Sequence, residues 1–556
     1  MQTQINAFST IYLVKSIILT SHQTQIITVT CTDIVFAEIA KIISEYNNIY
    51  FISAKMKNLR WQVVQGQLIN FPEPEPEKIP EPELKHVQHA DQISSYVLTP
   101  QSSIDTADKP LDQNTAIQLN YAKCVGCQMC AKTCSDHQNF NIFQKSSVKV
   151  YPFVNSRGDV LKDETRFTLE CTDCVGCGAC VQICPTGALQ PRDNVQELSE
   201  KLQCAEIVKI AVIAPSTRVG IAEGMGMPVG SSAERQMVQA LKNLGFDYVF
   251  DNMFGADMTT REDAQEILKH KAAGTGPCFT SCCPAWVNLV ERQYPELIPR
   301  LSTARSPHGM ICSVIKKQFA KSLGKRPGEL FVAGFMPCTA KKFEAARPQL
   351  ATDGVQDCDL SLTTREMMTL FKGQKFSVAR EAELENDESA QYSAPYNRFS
   401  GSAYIYGKSA GVTEAVARYI FHTTNTAPSE ITSEVVFEDI PSKSRISLIS
   451  FTADQTYRVL VAQGGLAAHK VVGLAQEVPC DAVEVMVCPG GCIGGGGQPK
   501  QLKKELVEKR KEGLELKDSQ QAWKSCCENE GVQAVYAEMG DSVHDVLHTY
   551  FVSSWE

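Results

Sequence analysis

The run Cys124-Val125-Gly126-Cys127-Gln128-Met129-Cys130-Ala131-Lys132-Thr133-Cys134 has a counterpart further on, Cys174-Val175-Gly176-Cys177-Gly178-Ala179-Cys180-Val181-Gln182-Ile183-Cys184-Pro185. Both follow the spacing Cys-x2-Cys-x2-Cys-x3-Cys, and together they hold eight of the 22 cysteines in this 556-residue chain. That cysteine content is high for a routine enzyme and too thinly spread for a small disulfide scaffold. Five more cysteines form a sparse set, the adjacent Cys282 and Cys283, then Cys338, Cys488 and Cys492. The remaining nine read by default as small buried hydrophobes.

The repeated spacing is the bacterial-type ferredoxin arrangement, in which three closely spaced thiolates wrap one cubane and the fourth reaches the other. One 4Fe-4S cluster then uses Cys124, Cys127, Cys130 and Cys184, and its neighbour Cys174, Cys177, Cys180 and Cys134. Zinc favours two separated Cys-x-x-Cys pairs around one ion, so eight thiols in this register suit it poorly. Ser135 replaces the proline usual after the first run. Cys171 adds a Cys-x-x-Cys upstream of Cys174 and so offers a shifted register; the match between the runs and the Cys184-Pro185 pair favour the unshifted one. Gly126, Gly176, Gly178 and Ala179 suit backbone packed close to a cluster.

Before these runs, residues 1–71 are mixed, with a strand expected over Ile26–Thr30 and a short helix over Phe36–Ile43. Lys15 interrupts the apolar run near the start, so no secretory signal is expected. The first 32 residues lack Asp and Glu and carry Ser and Thr, as transit peptides do, but they also lack Arg, which leaves a weak targeting signal. Residues 72–83, PEPEPEKIPEPE, favour an extended polyproline conformation. The expected division is a segment of unassigned role (1–71), a Pro/Glu-rich linker (72–112), a two-cluster ferredoxin-like module (113–198) and a larger domain (199–556). A formal charge of -9 argues against a generally basic nucleic-acid binder. No uncharged apolar run reaches the roughly 18 residues of a membrane span.

From residue 199 onward the pattern is α/β. Ile207–Ile213 is nearly continuously apolar and ends before Pro215, as a buried strand feeding a loop does. Ser231 and Glu234 predict a capping box for a helix through Leu244, stopped at Gly245. Strands are expected over Phe246–Phe250, Leu330–Gly334, Tyr457–Ala462 and Val483–Val487, and helices over Val287–Tyr294 and Val412–Phe421. Cys338 and Cys488 fall just beyond two of these strands, where α/β proteins place their ligands. Lys500–Glu512, with mixed charges at helical spacing, predicts a solvated helix.

Adjacent Cys282 and Cys283 have Cα atoms about 3.8 Å apart, less than the usual disulfide range of about 4.4–6.8 Å. They stand in Thr280-Ser281-Cys282-Cys283-Pro284-Ala285-Trp286, where the proline can open a helix. Two further segments are Met336-Pro337-Cys338-Thr339-Ala340-Lys341-Lys342-Phe343-Glu344 and Glu484-Val485-Met486-Val487-Cys488-Pro489-Gly490-Gly491-Cys492, the latter followed by Ile493 and four glycines. In this order, downstream of a two-cluster module, the three segments resemble the three signature motifs of the catalytic domain of iron-only (FeFe) hydrogenases. The resemblance covers most of residues 113–550 and extends to Ser525, Glu528, Asn529, Leu547 and His548 near the end.

The resemblance implies an α+β multidomain protein, with the ferredoxin-like module followed by a two-lobed α/β catalytic domain. It implies that Cys283, Cys338, Cys488 and Cys492 hold the cubane of an H-cluster, with Cys492 bridging to a diiron subcluster carrying carbon monoxide, cyanide and a dithiolate. It assigns Lys341 to a cyanide ligand, gives Ala214, Pro215, Ser216 and Ser306 other close or polar contacts, and packs Met336 and Met486 beside the cofactor. Cys282 is implied as a proton relay to Glu266, Ser302, Glu344 and Asp263. Asp263 is one methylene shorter than the family's usual glutamate, and His308 stands where glutamine is commoner.

The activity so implied is reversible reduction of protons to dihydrogen. Hydrogenase-like assembly factors and hydrogen sensors share part of this pattern, but generally lack the relay cysteine that Cys282 matches. Between Tyr121 and Val150, Lys123, Lys132, Lys145 and Lys149 face Asp136 alone, a face suited to an acidic ferredoxin as electron carrier. The resemblance further implies maturation proteins that supply the diiron unit. It implies a reducing compartment, either cytosol or a hydrogen-producing organelle such as a hydrogenosome.

Overall fold

The computed structural model describes residues 116–120, 123–146, 153–154, 160–161, 166–169 and 174–553 except 373–375, 377–380 and 501–503, together with four amino-terminal strands. The chain divides into two compact units, Met1–Ser102 and Ser103–Glu556. In the first, Ile27–Val29 pairs in parallel with Phe51–Met56, which continues antiparallel through Leu59–Val64 and Gln67–Pro72. The strand expected over Ile26–Thr30 is thus observed; the helix over 36–43, the linker beyond Pro72 and Cys171 lie outside the described residues.

The second unit opens with an antiparallel pair, Ile117–Leu119 with Leu189–Pro191, that brackets the two cysteine runs. Each run enters a short helix, Met129–Lys132 or Ala179–Ile183, through a residue in the left-handed region, Gln128 at φ 60° and Gly178 at φ 73°. Gly178 is required there twice over. A Cβ on it would lie 2.8 Å from Gly496 Cα and 2.6 Å from Thr339 Oγ1, so its absence lets the second run dock on the glycine-rich segment after Cys492.

The larger region is built on two sheets whose strands, in chain order, are β1 (Val208–Ile213), β2 (Tyr248–Asp251), β3 (Cys278–Phe279), β4 (Leu330–Met336), β5 (Leu360–Thr363), β6 (Thr432–Asp439), β7 (Ser444–Thr452), β8 (Thr456–Gln463) and β9 (Ala482–Met486). The first sheet has the order β2-β1-β4-β5 and is wholly parallel. Ile210 and Val212 face one apolar layer, Ala211 and Ile213 the other, which is why β1 reads as apolar sequence from Ile210 to its end. The second sheet runs β3-β9-β8-β7-β6; its first three strands are parallel, and β7 and β6 add an antiparallel edge that departs from the expected continuous alternation. One face of this sheet, with Val483, Val485 and Trp286, shares a core with Ile117, Val181 and Leu189 of the cysteine module.

Three helices position the site. α1 (Asn252–Ala273) is capped by Asp251, whose carboxylate accepts from Met253 N at 2.8 Å, and stops at left-handed Gly274. α2 (Pro284–Gln293) starts at the expected proline, with Cys283 as its cap residue. α3 (Pro307–Val314) is capped by Ser306, which accepts from Gly309 N at 3.2 Å.

Two expectations need correction. The helix Glu234–Asn243 has Ala233 at its cap and no capping box, because the Glu234 carboxylate turns inward to pair with buried Arg218 at 2.8 Å. The charged helix, Lys504–Gln520, is not simply solvated: Arg510 and Leu514 are fully buried, and Arg510 pairs with Glu223 at 2.8 Å. Among the described residues, no helix is long and apolar enough to cross a membrane.

Candidate active site

Four loops leave the carboxyl ends of parallel strands: Ala214-Pro215-Ser216 after β1, Thr280–Cys283 after β3, Pro337-Cys338 after β4, and Val487–Cys492 after β9. Strand ends expose backbone groups without a ladder partner, so such loops can bend toward a ligand. Here they are tied together across the two sheets. From the segment after Cys492, Gly497 N donates to Pro337 O at 2.8 Å and Gln498 Nε2 to Ser216 O at 2.8 Å, while within the first sheet Ala214 N donates to Phe335 O at 3.0 Å.

The loops converge on the sulfurs of Cys283, Cys338, Cys488 and Cys492. Burial pushes the Cys338 thiol up to about 12, with Cys283 adding to it and Lys341 opposing. Burial likewise raises Cys488 and Cys492, reinforced by Cys338 and Cys283 in both cases. Buried thiols this close cannot ionise together without a cation to offset them, which is the setting an iron-sulfur cubane requires. The Ser216 hydroxyl is buried without a hydrogen-bond partner, and Met336 and Met486 are buried at the ends of β4 and β9. An orphaned hydroxyl and two soft apolar side chains beside four thiols fit a bulky cofactor with polar ligands.

The module's cysteines adjoin this cluster through Cys177. The thiols that act on Cys130 are Cys124, Cys127 and Cys184, while those that act on Cys180 are chiefly Cys177, Cys174 and Cys134. This is the crossed grouping expected from the spacing. Cys177 in turn is a neighbour of Cys338 and Cys488, and its carbonyl lies 3.9 Å from Cys488 Sγ. Cys127, at the other end, is exposed.

Cys282 is buried, and burial followed by the charge of Asp263 holds its thiol well above the ordinary range. Asp263 on α1 accepts from Ser302 Oγ at 2.7 Å and from Tyr406 OH at 3.4 Å. One turn later Glu266 accepts from Thr303 N at 3.0 Å and Thr303 Oγ1 at 2.6 Å. Thr303 Oγ1 also meets His548 Nδ1 at 2.8 Å, and His548 Nε2 lies 3.0 Å from Glu262, which accepts from Tyr536. The ring of exposed His544 stacks on His548 at 4.6 Å. The structure brings together Asp263, Ser302, Glu266 and Cys282, which the sequence grouped, and adds Thr303, Glu262 and the contacts of His548, which it did not. The i and i+4 spacing of Glu262 and Glu266 on one helix face was the available signal.

Glu344 does not join that set. Its carboxylate accepts from Lys341 Nζ at 2.7 Å and lies 3.2 Å from His308 Nδ1. The one-turn helix Lys341–Ala345 carries Lys341 and Glu344 on the same side, so the ammonium captures the carboxylate. Lys341 Nζ also donates to Ser306 Oγ at 2.7 Å. Burial works against the ammonium, but Glu344 outweighs it and holds Lys341 above the ordinary lysine range.

Arg218 is a further residue that the sequence did not single out. Fully buried, it donates from Nε to Pro215 O at 2.7 Å and pairs with Asp251 at 2.5 Å and Glu234 at 2.8 Å. It thereby fixes the Ala214-Pro215-Ser216 loop from behind.

Comparison with known proteins gives two family matches. The C-terminal domain of the iron-only hydrogenase large subunit matches residues 208–496, and the 4Fe-4S dicluster domain matches residues 123–188. The NADP-reducing hydrogenase subunit of Solidesulfovibrio fructosivorans is 34% identical over 463 residues, covering 79% of this chain and 75% of that protein. Iron hydrogenase 1 of Clostridium pasteurianum is 32% identical over 454 residues, covering 79% and 76%. Among solved structures, an apo FeFe-hydrogenase of Chlamydomonas reinhardtii has a TM-score of 0.56 at 30% identity, covering 65% of this chain and 99% of that one.

Proposed function

Since the chain belongs to the iron-only hydrogenase family and is a hydrogenase, we propose that it interconverts protons and dihydrogen reversibly, with a reduced ferredoxin as electron carrier. Cys124, Cys127, Cys130 and Cys184 hold the outer 4Fe-4S cluster, and Cys134, Cys174, Cys177 and Cys180 the inner one. Cys283, Cys338, Cys488 and Cys492 hold the H-cluster, which supplies, when bound, the two-electron centre for this reaction. The observation that supports the reading is that those last four buried thiols neighbour one another, with Cys177 next to Cys488 and Cys282 next to Cys283 and Cys492.

The protein's own residues then divide the work. Lys341, kept charged by Glu344, offsets the anionic cofactor and is oriented by Ser306. Ala214, Pro215, Ser216, Met336 and Met486 enclose it and exclude water. Cys282 Sγ holds a proton next to the reacting centre and exchanges it with the Asp263 carboxyl, which Ser302 orients. Glu266, Thr303 and His548 carry the path toward exposed His544. Electrons enter at the Cys127 end, where exposed Lys123, Lys132, Val125 and Met129 offer a basic and partly apolar face to an acidic carrier. Dedicated maturation proteins supply the diiron unit, in a reducing compartment that is either cytosol or a hydrogen-producing organelle.

Infrared spectroscopy of the chain after loading with the diiron subcluster tests the reading. It predicts bands from metal-bound carbon monoxide and cyanide. A chain with its cubanes loaded and no such bands would instead be an assembly-type relative without hydrogen chemistry.

A further inference from the structure

Three buried side chains near α3 are used neither by the proton path nor as iron ligands. His308 and Cys312 lie one helical turn apart on α3, and Cys358 precedes β5; they are 1%, 1% and 6% exposed. One ligand atom from each lies within 4.8 Å of the other two. Around a tetrahedral zinc ion with bonds of about 2.0–2.3 Å, ligand atoms stand roughly 3.3–3.8 Å apart, so small side-chain rotations close the set.

The surroundings are those of a metal centre. His308 Nδ1 faces Glu344 at 3.2 Å, whereas Nε2 is buried without a well-formed hydrogen bond and the ring's other polar neighbour is the Cys358 sulfur. That is the arrangement of a ligating histidine, which gives its second ring N–H to a carboxylate and presents its other nitrogen to the metal. Nε2 packs against Gly334, where a Cβ would sit only 2.4 Å away, and the Gly334 backbone N–H is directed at Cys358. As a thiol, Cys358 Sγ donates to Leu360 O at 3.3 Å, a bond it gives up when metal binding takes its proton. Charge calls for a divalent cation, and the imidazole-plus-thiolate donor set at tetrahedral spacing favours zinc. Two thiolates and a neutral imidazole around a divalent cation sum to zero, so the complex can be buried without a further counter-ion.

We propose that His308 Nε2, Cys312 Sγ and Cys358 Sγ form a zinc site, with water in the fourth position. Binding releases both thiol protons and changes no oxidation state. The bound ion fixes the proton on His308 Nδ1, which holds Glu344, which in turn holds Lys341. The site is thus a positioning device for Lys341, although zinc binding itself does not depend on the hydrogenase reading.

The test uses the full chain produced without the diiron maturation proteins, equilibrated with zinc chloride and washed with chelator. Zinc and iron are quantified together, and the zinc environment is read by X-ray absorption. The expected result is one zinc per chain in addition to the iron, with two sulfurs at about 2.3 Å and a nitrogen at about 2.0 Å. Cys312→Ser/Cys358→Ser loses this zinc with iron content unchanged. His308→Gln, which restores the residue commoner in the family and does not depend on the double variant folding, loses it as well. Absence of zinc from the parent chain, zinc that persists in both variants with an all-sulfur shell, or a Cys312–Cys358 disulfide would each overturn the proposal.

Discussion

Ser302 Oγ donates to Asp263 Oδ1 at 2.7 Å, joining α1 to the loop that follows the helical turn over 295–300. Burial pushes the Asp263 carboxyl up to about 7, and the nearby Glu266 charge adds to the effect. A carboxyl so placed can take and return protons near neutrality, despite being shorter than the family's usual glutamate. Turnover should therefore show an inflection near pH 7, with the carboxyl protonated below it and ionised above. Asp263→Asn should abolish that inflection and lower turnover by roughly 10²–10⁴-fold, the usual contribution of a positioned acid or base. Cys282→Ala should do the same to turnover, and both variants should retain the infrared bands. Wild-type rates in either would remove that residue from the path.

The contact between Thr303 and His548 gives a second prediction. His548→Ala interrupts the link from Glu266 to Glu262 and His544, so turnover should fall, though less than in Cys282→Ala, while electron delivery from a viologen dye stays unlimited. Thr303→Val should behave alike and Thr303→Ser should recover. If Thr303→Ser is as slow as Thr303→Val, the loss is one of packing and not of the hydroxyl's proton transfer.

Glu344 bears on stability. Burial opposes its carboxylate, but Lys341 and His308 overcome this and lower it from 4.5 to about 2. A carboxyl with a depressed folded pKa stabilises above its unfolded value and loses that contribution as pH falls through the folded one. That lowering from 4.5 to about 2 corresponds to about 3 kcal/mol. Glu344→Gln should thus unfold more easily by about that amount in denaturant, with a gap that is constant between about pH 5 and 8. No gap of this kind at neutral pH would mean that Glu344 titrates as an ordinary carboxyl, since equal folded and unfolded pKa values contribute nothing at any pH.

Lys123 and Lys132 are exposed beside Cys127. Lys123→Glu/Lys132→Glu should raise KM for an acidic ferredoxin and flatten its salt dependence, with dye-driven activity unchanged. An unaltered KM would place the carrier elsewhere.

The cysteine spacing made the two-run module legible because a thiolate set that wraps a cubane needs cysteines at fixed short intervals. Three of the four strands of the parallel sheet were equally legible, since burial on both faces leaves nearly continuous apolar runs such as Val208–Ile213, broken only by Lys209; β5, with Ser361 and Thr363 in its four residues, was not anticipated. Boundaries shifted where side chains compete with the ladder. β2 begins at Tyr248, two residues later than expected, because the Asp247 carboxylate is taken up by Lys209 N at 2.8 Å. Glu234 and Glu344 were misread for a common reason. A carboxylate follows the nearest buried cation, here Arg218 or Lys341, and no local pattern reveals where that cation will be. Thr303 and His548 are 245 residues apart, and only the folded chain brings them together.

The central claim is tested most directly by hydrogen evolution from reduced ferredoxin by the chain carrying its complete H-cluster. Sustained evolution, reversed when hydrogen is supplied with oxidised ferredoxin, is the predicted result. A chain with the correct infrared bands that neither evolves hydrogen nor exchanges it with deuterated solvent would contradict the account.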